Sequence, residues 1–92
     1  MLEGSVQVIN QLGLHARAAA KLVRLAGAFT SRIHLFRHDR NVDANAKSIL
    51  SVLTLAAAIG VELQLRVEGD DEAEAYDAII GLFKSGFEEN GA

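Results

Sequence analysis

His15 is the residue of this sequence from which chemistry can be built. It lies in Gly13-Leu14-His15-Ala16-Arg17-Ala18-Ala19-Ala20, between a glycine and an alanine-rich run. Imidazole is the side chain best suited to moving a charged group near neutral pH. The run that follows reads as a helix. A helix start offers unpaired N–H groups and the positive end of the dipole, a natural seat for phosphate. Arg17 adds a permanent cation. Gly13 allows a backbone conformation that other residues resist, which turns the ring outward. A nucleophile, an anion seat and a cation in one short segment are the minimum equipment for taking a phosphoryl group onto His15 and giving it away. In that arrangement Arg17 stabilises charge during transfer, and the N–H groups of Ala16 and Ala18 position the phosphate. The hold must be moderate, because only interactions stronger in the transition state speed transfer.

A second segment, Asn45-Ala46-Lys47-Ser48-Ile49-Leu50-Ser51-Val52-Leu53, reads as another helix start. A phosphate on Ser48 would be tolerated by the helix end. Taken alone, Ile49, Leu50 and Leu53 read as core residues. The alternative is an exposed apolar patch that docks partners. Lys21 and Arg24 extend the basic stripe from Arg17, a solvated face by default, whose place beside His15 suits acidic partners. His34 and His38 fall on one face of a strand, about 13 Å apart by strand rise, which suits surface histidines rather than a metal pair.

The elements that must carry these residues follow from periodicity. Residues 5–9 alternate around Val6 and Val8 and read as a strand. Residues 10–14 are a loop. Residues 16–26 read as a helix whose apolar stripe is Ala19, Leu22, Val23 and Ala26, with Arg17, Lys21 and Arg24 opposite and Gly27 as the stop. Residues 32–37 read as a strand, 38–41 as a turn and 42–44 as a short returning strand. Residues 45–55 return to helical spacing. Residues 61–67 alternate cleanly, with Val61, Leu63, Leu65 and Val67 on one face. Asp70 and Asp71 are placed to cap a last helix whose buried face is Ala73, Tyr76, Ile80 and Phe83. The order β-α-β-β-α-β-α, with strands of alternating hydrophobicity, predicts an α+β sandwich: an antiparallel sheet with helices on one face and water on the other.

Composition narrows the function classes. With 92 residues, one domain spanning 1–92 is expected. Half of the chain is hydrophobic and 23% is charged, as in folded domains. There is no cysteine, hence no disulfide and no thiolate metal site. No apolar run approaches a bilayer span, and Met1-Leu2-Glu3-Gly4 lacks the marks of a signal peptide, so a cytoplasmic protein without membrane insertion is expected. Residues 15–40 are basic, with only Asp39 against them. Residues 61–92 carry acids from Glu62 to Glu89 against only Arg66 and Lys84. The asymmetry suits an anionic substrate or an acidic partner. Nucleic acid is a weaker reading for an acidic chain poor in aromatics. No phosphate-binding loop of the GxxxxGK[ST] type and no metal cluster supports a stand-alone kinase or phosphatase. No sign of an oligomer is visible, and a monomer is expected.

Gly13-Leu14-His15-Ala16-Arg17 together with Ala46-Lys47-Ser48-Ile49-Leu50 resembles HPr, the histidine-containing phosphocarrier family of the bacterial phosphotransferase system. The resemblance runs over essentially the whole chain, including Val67-Glu68-Gly69-Asp70-Asp71-Glu72 at the last helix. It implies an open-faced β-sandwich, a four-stranded antiparallel sheet with three helices on one face. It implies that His15 takes a phosphoryl group on Nδ1 from phosphorylated enzyme I and passes it to a histidine of an enzyme IIA domain. It gives Arg17 the role of active-site arginine. Ser48 becomes the target of HPr kinase/phosphorylase, and Ile49, Leu50 and Leu53 the partner-docking patch, which moves at least Ile49 and Leu50 towards exposure. Such a carrier is not an independent catalyst and needs no bound cofactor. Two residues depart from the pattern. Ala18 stands where many members have proline, which keeps the helix and adds one N–H donor. Leu12 stands where many have a polar residue. Both departures resemble the nitrogen-type, regulatory branch. The competing reading is a mainly regulatory interaction protein, in a nitrogen-type phosphotransferase chain or in carbon-catabolite signalling, switched by phosphorylation at Ser48.

Overall fold

The computed structural model describes residues 1–89. Its order is β1 (Leu2–Gln7), α1 (Ala16–Ala26), β2 (Arg32–Arg37), β3 (Val42–Asn45), α2 (Ile49–Leu53), β4 (Glu62–Glu68) and α3 (Glu72–Lys84). Short 3-10 turns cover His38–Arg40 and Gly86–Glu88. The strands form one four-stranded sheet in the order β1-β4-β2-β3, and every pairing is antiparallel. This is the α+β sandwich expected from the alternation.

Side-chain period two divides the sheet. Val6, Ile33, Leu35, Leu63, Leu65 and Val67 are buried on the inner face, against Leu22, Ile79, Phe83 and Phe87. The outer face carries Glu3, Arg32, His34, Phe36, Gln64 and Arg66, and ladder partners meet there, as in the Arg66–Glu3 pair at 2.9 Å. Arg37 continues the Ile33 and Leu35 series inward. It is buried, and its guanidinium donates to the carbonyls of Leu55 at 2.8 Å and Ala56 at 2.9 Å and to Asp39. It therefore closes the end of α2 instead of joining a basic surface. The paired guanidinium in turn holds the Asp39 carboxyl below its ordinary range.

Four expectations need correction. β1 starts earlier, at Leu2, and ends at Gln7; Val8 follows it and bonds to Val61 at 2.9 Å. α2 is shorter than residues 45–55. Asn45 ends β3, and its side-chain oxygen takes the Lys47 N–H at 2.9 Å, a local turn that competes with helix. The helix then begins after Ser48. In α3 the buried residues are Ala75, Ile79 and Phe83, with Tyr76 and Ile80 half-buried, whereas Ala73 is exposed. The observed stripe keeps Phe83 but runs through Ala75 and Ile79, each one residue before the expected Tyr76 and Ile80, so that Ile79 rather than Tyr76 lies deepest. Finally, Asp71 precedes α3 but makes no side-chain cap. Its carboxylate accepts from Thr30 N–H (2.9 Å), Ser31 N–H (2.9 Å) and Ser31 Oγ (2.5 Å). The Ser31 hydroxyl first, then the Thr30 amide, lower its pKa to about 2. Asp71 thus clamps the α1–β2 connection rather than its own helix.

Candidate functional site

The site begins with a backbone constraint. Gly13 has φ +70, where L side chains are strained. A Cβ there would come within 2.7 Å of the Ala57 carbonyl oxygen and 3.0 Å of Ala58 Cα. This close approach lets the Leu14 N–H bond Ala57 at 2.9 Å and sinks the Leu14 side chain into the core. With Leu14 pinned inward, His15 emerges as the N-cap of α1 (φ −74, ψ 178), and its carbonyl accepts the first helical bond from Ala19 at 2.8 Å.

His15 Nδ1 accepts the Arg17 N–H at 3.3 Å. The imidazole thus serves as the helix cap, a role that serine, threonine, asparagine or aspartate usually fills. The N–H groups of Ala16 and Ala18 have no partner among the described residues. Ala16 is exposed at the helix start. Ala18 is fully buried, packed into the core, so the expectation that its N–H positions the phosphate is corrected: that donor is covered. The other ring nitrogen, Nε2, lies 2.5 Å from Glu89 Oε2. Asn10 supports that carboxylate: its Nδ2 donates to Glu89 Oε1 at 3.1 Å and to the Gly13 carbonyl at 2.8 Å. The bond to His15, followed by that to Asn10, holds the Glu89 carboxyl below its ordinary range.

The remaining candidates divide. Arg17 is exposed at the first turn, and its guanidinium has no hydrogen-bond partner among the described residues. Arg24 is exposed in the last turn of α1. Lys21 is occupied: its Nζ donates to the Phe87 carbonyl at 2.8 Å. Ser48 is the N-cap of α2, and its Oγ accepts the Ser51 N–H at 3.3 Å. Ile49, Leu50 and Leu53 are 39%, 75% and 38% exposed, so they form a surface and not a core. Val52 and Leu55 supply the buried side of that segment. Leu12 is also exposed, in the loop that leads to His15.

His34 and His38 take separate partners on the outer face. His34 Nδ1 lies 3.4 Å from Asp43, and His38 Nε2 lies 2.9 Å from Gln64. Among the described residues no group of histidines and acids is placed to hold a metal.

Glu89, Asn10 and Phe87 are parts of the site that periodicity did not single out. Glu89 lies 74 residues from His15 in the chain. A local signal for the turn that delivers it does exist: Gly86 follows Ser85, the C-cap of α3, and has φ +62, the common left-handed ending of a helix.

Comparison with known proteins points in the same direction. The family model PTS-HPr, described as the PTS HPr component phosphorylation site, matches residues 2–85. The sequence is 49% identical over 89 residues to the phosphocarrier protein HPr of Cupriavidus necator, covering 97% of this chain and 98% of that one. It is 44% identical over 85 residues to the phosphocarrier protein NPr of Proteus mirabilis, covering 92% and 93%. The crystal structure of HPr-C-His from Thermoanaerobacter tengcongensis superimposes with a TM-score of 0.91 at 40% identity, covering 98% of this chain and 99% of that one.

Proposed function

The chain belongs to the PTS-HPr family of phosphocarriers, and on that premise we propose that His15 is its phosphoryl acceptor. The Nδ1 lone pair forms a bond to phosphorus. The bond from phosphorus to the donor breaks, and its electron pair stays with the donor, phosphorylated enzyme I. In the second transfer the N–P electron pair returns to Nδ1 as a histidine of an enzyme IIA domain takes the group. One observation carries this reading: His15 caps α1 with Nδ1 facing the helix start, where the exposed Ala16 N–H and the exposed Arg17 guanidinium have no partner among the described residues. Those groups meet the phosphoryl oxygens as charge develops. The chain acts as a carrier without a bound cofactor, and its partners complete the catalytic surroundings.

The exposed Ile49, Leu50 and Leu53 lie on a helix next to α1. An apolar patch beside the cations Arg17 and Arg24 is a surface that successive acidic partners can share. Lys21 contributes less, since its ammonium is tied to Phe87. No helix among the described residues is long and apolar enough to cross a membrane. The carrier is proposed to act as a cytoplasmic monomer.

The test is phosphorylation by phosphoenolpyruvate and the cognate enzyme I, read by intact mass. The wild type should gain one acid-labile phosphate, and His15→Ala none. A folded wild type that gains no phosphate overturns the carrier reading. A second, regulatory reading rests on Ser48, which caps α2 at the edge of the apolar patch, and on the similarity to an NPr. It makes phosphorylation of Ser48 by an HPr kinase/phosphorylase the main switch. A chain labelled only at Ser48, by kinase and ATP, would favour it.

A further inference from the structure

Two partners divide the nitrogens of the His15 ring, and each can bond in only one way. The Arg17 N–H is a donor, so Nδ1, 3.3 Å away, must be the acceptor and carries no proton. The Glu89 carboxylate, held ionised below its ordinary range by this same contact, is only an acceptor. Nε2, 2.5 Å away, must therefore carry the proton. Both constraints select the same neutral ring, with its lone pair on Nδ1 towards the helix start.

The segment that carries Glu89 is anchored far more firmly than a passive chain end requires. Gly86, Phe87 and Glu88 all have φ near +60, at 62, 58 and 61. That left-handed run is unfavourable for Phe87 and Glu88 and persists only where the surroundings enforce it. Here the surroundings are visible. The Phe87 side chain is fully buried, with its ring edge-on to Phe83 at a centroid distance of 4.9 Å. Lys21 Nζ holds the Phe87 carbonyl at 2.8 Å. Asn10 then bridges Glu89 to the Gly13 carbonyl, joining the tail to the loop that sets His15. The Asn10 Oδ1 is left buried without a partner, while Nδ2 serves the two acceptors.

We propose that Glu89 is a positioning residue for phosphoryl transfer: it takes the hydrogen bond of His15 Nε2–H, aims Nδ1 at the incoming group, and supplies a counter-charge as the ring becomes cationic. This rests on His15 being the acceptor. When Nδ1 bonds phosphorus, the Nε2 proton stays in place and the ring gains a formal positive charge. The carboxylate is then beside a cation instead of a neutral ring, so its attraction grows during the reaction and is felt most where it speeds transfer. In the return step the N–P electron pair goes back to Nδ1, and the same neutral ring is left. A carboxylate that orients a histidine through its second nitrogen plays the same part in hydrolytic triads.

The test uses the full chain with Glu89→Ala, Glu89→Gln and Glu89→Asp, cognate enzyme I and phosphoenolpyruvate. Two readouts are taken: the initial rate of phosphorylation, and the nitrogen-15 and Hε2 signals of the His15 ring. In Glu89→Ala we expect loss of the hydrogen-bonded Hε2 signal and acceptance slower by about tenfold, the scale of one charge-assisted bond. Glu89→Gln keeps an acceptor without the charge, so the Hε2 signal persists and the rate lies between. Glu89→Asp recovers part of the rate. The amide spectrum monitors the fold. A Glu89→Ala protein with wild-type rate and wild-type ring signals overturns the proposal. So does a faster variant, which would make Glu89 a cover over His15. A wild type that shows the ring contact yet accepts no phosphate overturns the carrier reading, and this proposal with it.

Discussion

His15 and His34 each face a carboxylate, and the difference between the two places shows what makes a histidine chemical. The His34–Asp43 pair lies on the open face of the sheet at 3.4 Å, and both side chains are well exposed. Its partner comes from the neighbouring strand β3, close to the ladder partners His34 and Asn45. Such pairs are screened by water and salt and contribute little. The His15–Glu89 contact is 2.5 Å, with the carboxylate side chain only 10% exposed. It joins residues from opposite ends of the chain, and the ring's other nitrogen faces a helix start. Shared residue types are therefore not enough. Chemistry requires a helix start, an unprotonated ring nitrogen facing it and a fixed counter-charge at one point.

The largest effect should come from removing each histidine in turn. His15→Ala should abolish phosphorylation by enzyme I, whereas His34→Ala and His38→Ala should be labelled at the wild-type rate. Label on His34 or His38 would erase the distinction between the two faces. The next effect is on stability. Phe87 is fully buried against Phe83, so Phe87→Ala should lower unfolding free energy by about 3–5 kcal/mol, measured with urea. The variant should also lose the hydrogen-bonded signal of His15, because the turn that carries Glu89 is no longer anchored. Loss of stability with an intact ring signal would show that Glu89 is held by Asn10 alone.

Arg17→Ala comes third. The Arg17 side chain is exposed at the first turn and has no hydrogen-bond partner among the described residues, so the fold should be unchanged. Transfer from enzyme I should slow by about 10- to 100-fold, below the range for donors in dry oxyanion sites because water screens this one. An unchanged rate would leave the helix N–H groups as the whole phosphate site.

How far the sequence reading reached depends on the range of each interaction. Arg32–Arg37 was legible to the residue because alternation is local. The same alternation put Arg37 on the face of Ile33 and Leu35, so its burial was readable by counting, although charge composition suggested a surface role. The start of α2 was misplaced because the Asn45 side chain bonds Lys47 N–H and makes a turn where helical spacing already runs. Taken alone, Ile49, Leu50 and Leu53 read as core, and that reading fails: they lie at the surface, while Val52 and Leu55 take the inner side. His15, Arg17 and Gly13 were legible because cap, cation and glycine are neighbours. Glu89 and Asn10 were not, since no periodicity links a residue to one 74 positions away. What revealed them was the packing of Phe87.

The smallest effect concerns acid. Glu89 has its carboxyl pKa lowered, first by His15 and then by Asn10. A carboxylate of this kind contributes stability above its unfolded value and loses that contribution as pH falls through the lowered folded value. The ring contact should thus survive acidification past the point where ordinary glutamates have protonated. Asp71 sets the scale within the same molecule, since its clamp on Thr30 and Ser31 lasts until about pH 2. Carbon-13 titration of the carboxyl groups should place Glu89 below the exposed glutamates. The contrasting variant is Asp43→Asn. Removing that exposed carboxylate should leave phosphorylation unchanged and stability within about 0.5 kcal/mol. If Glu89 instead titrated with the exposed glutamates, its contact with His15 would be as loose as that of His34 with Asp43. The two regions would then differ only in the helix start at His15, with its exposed Ala16 N–H, and that start alone would have to account for the chemistry.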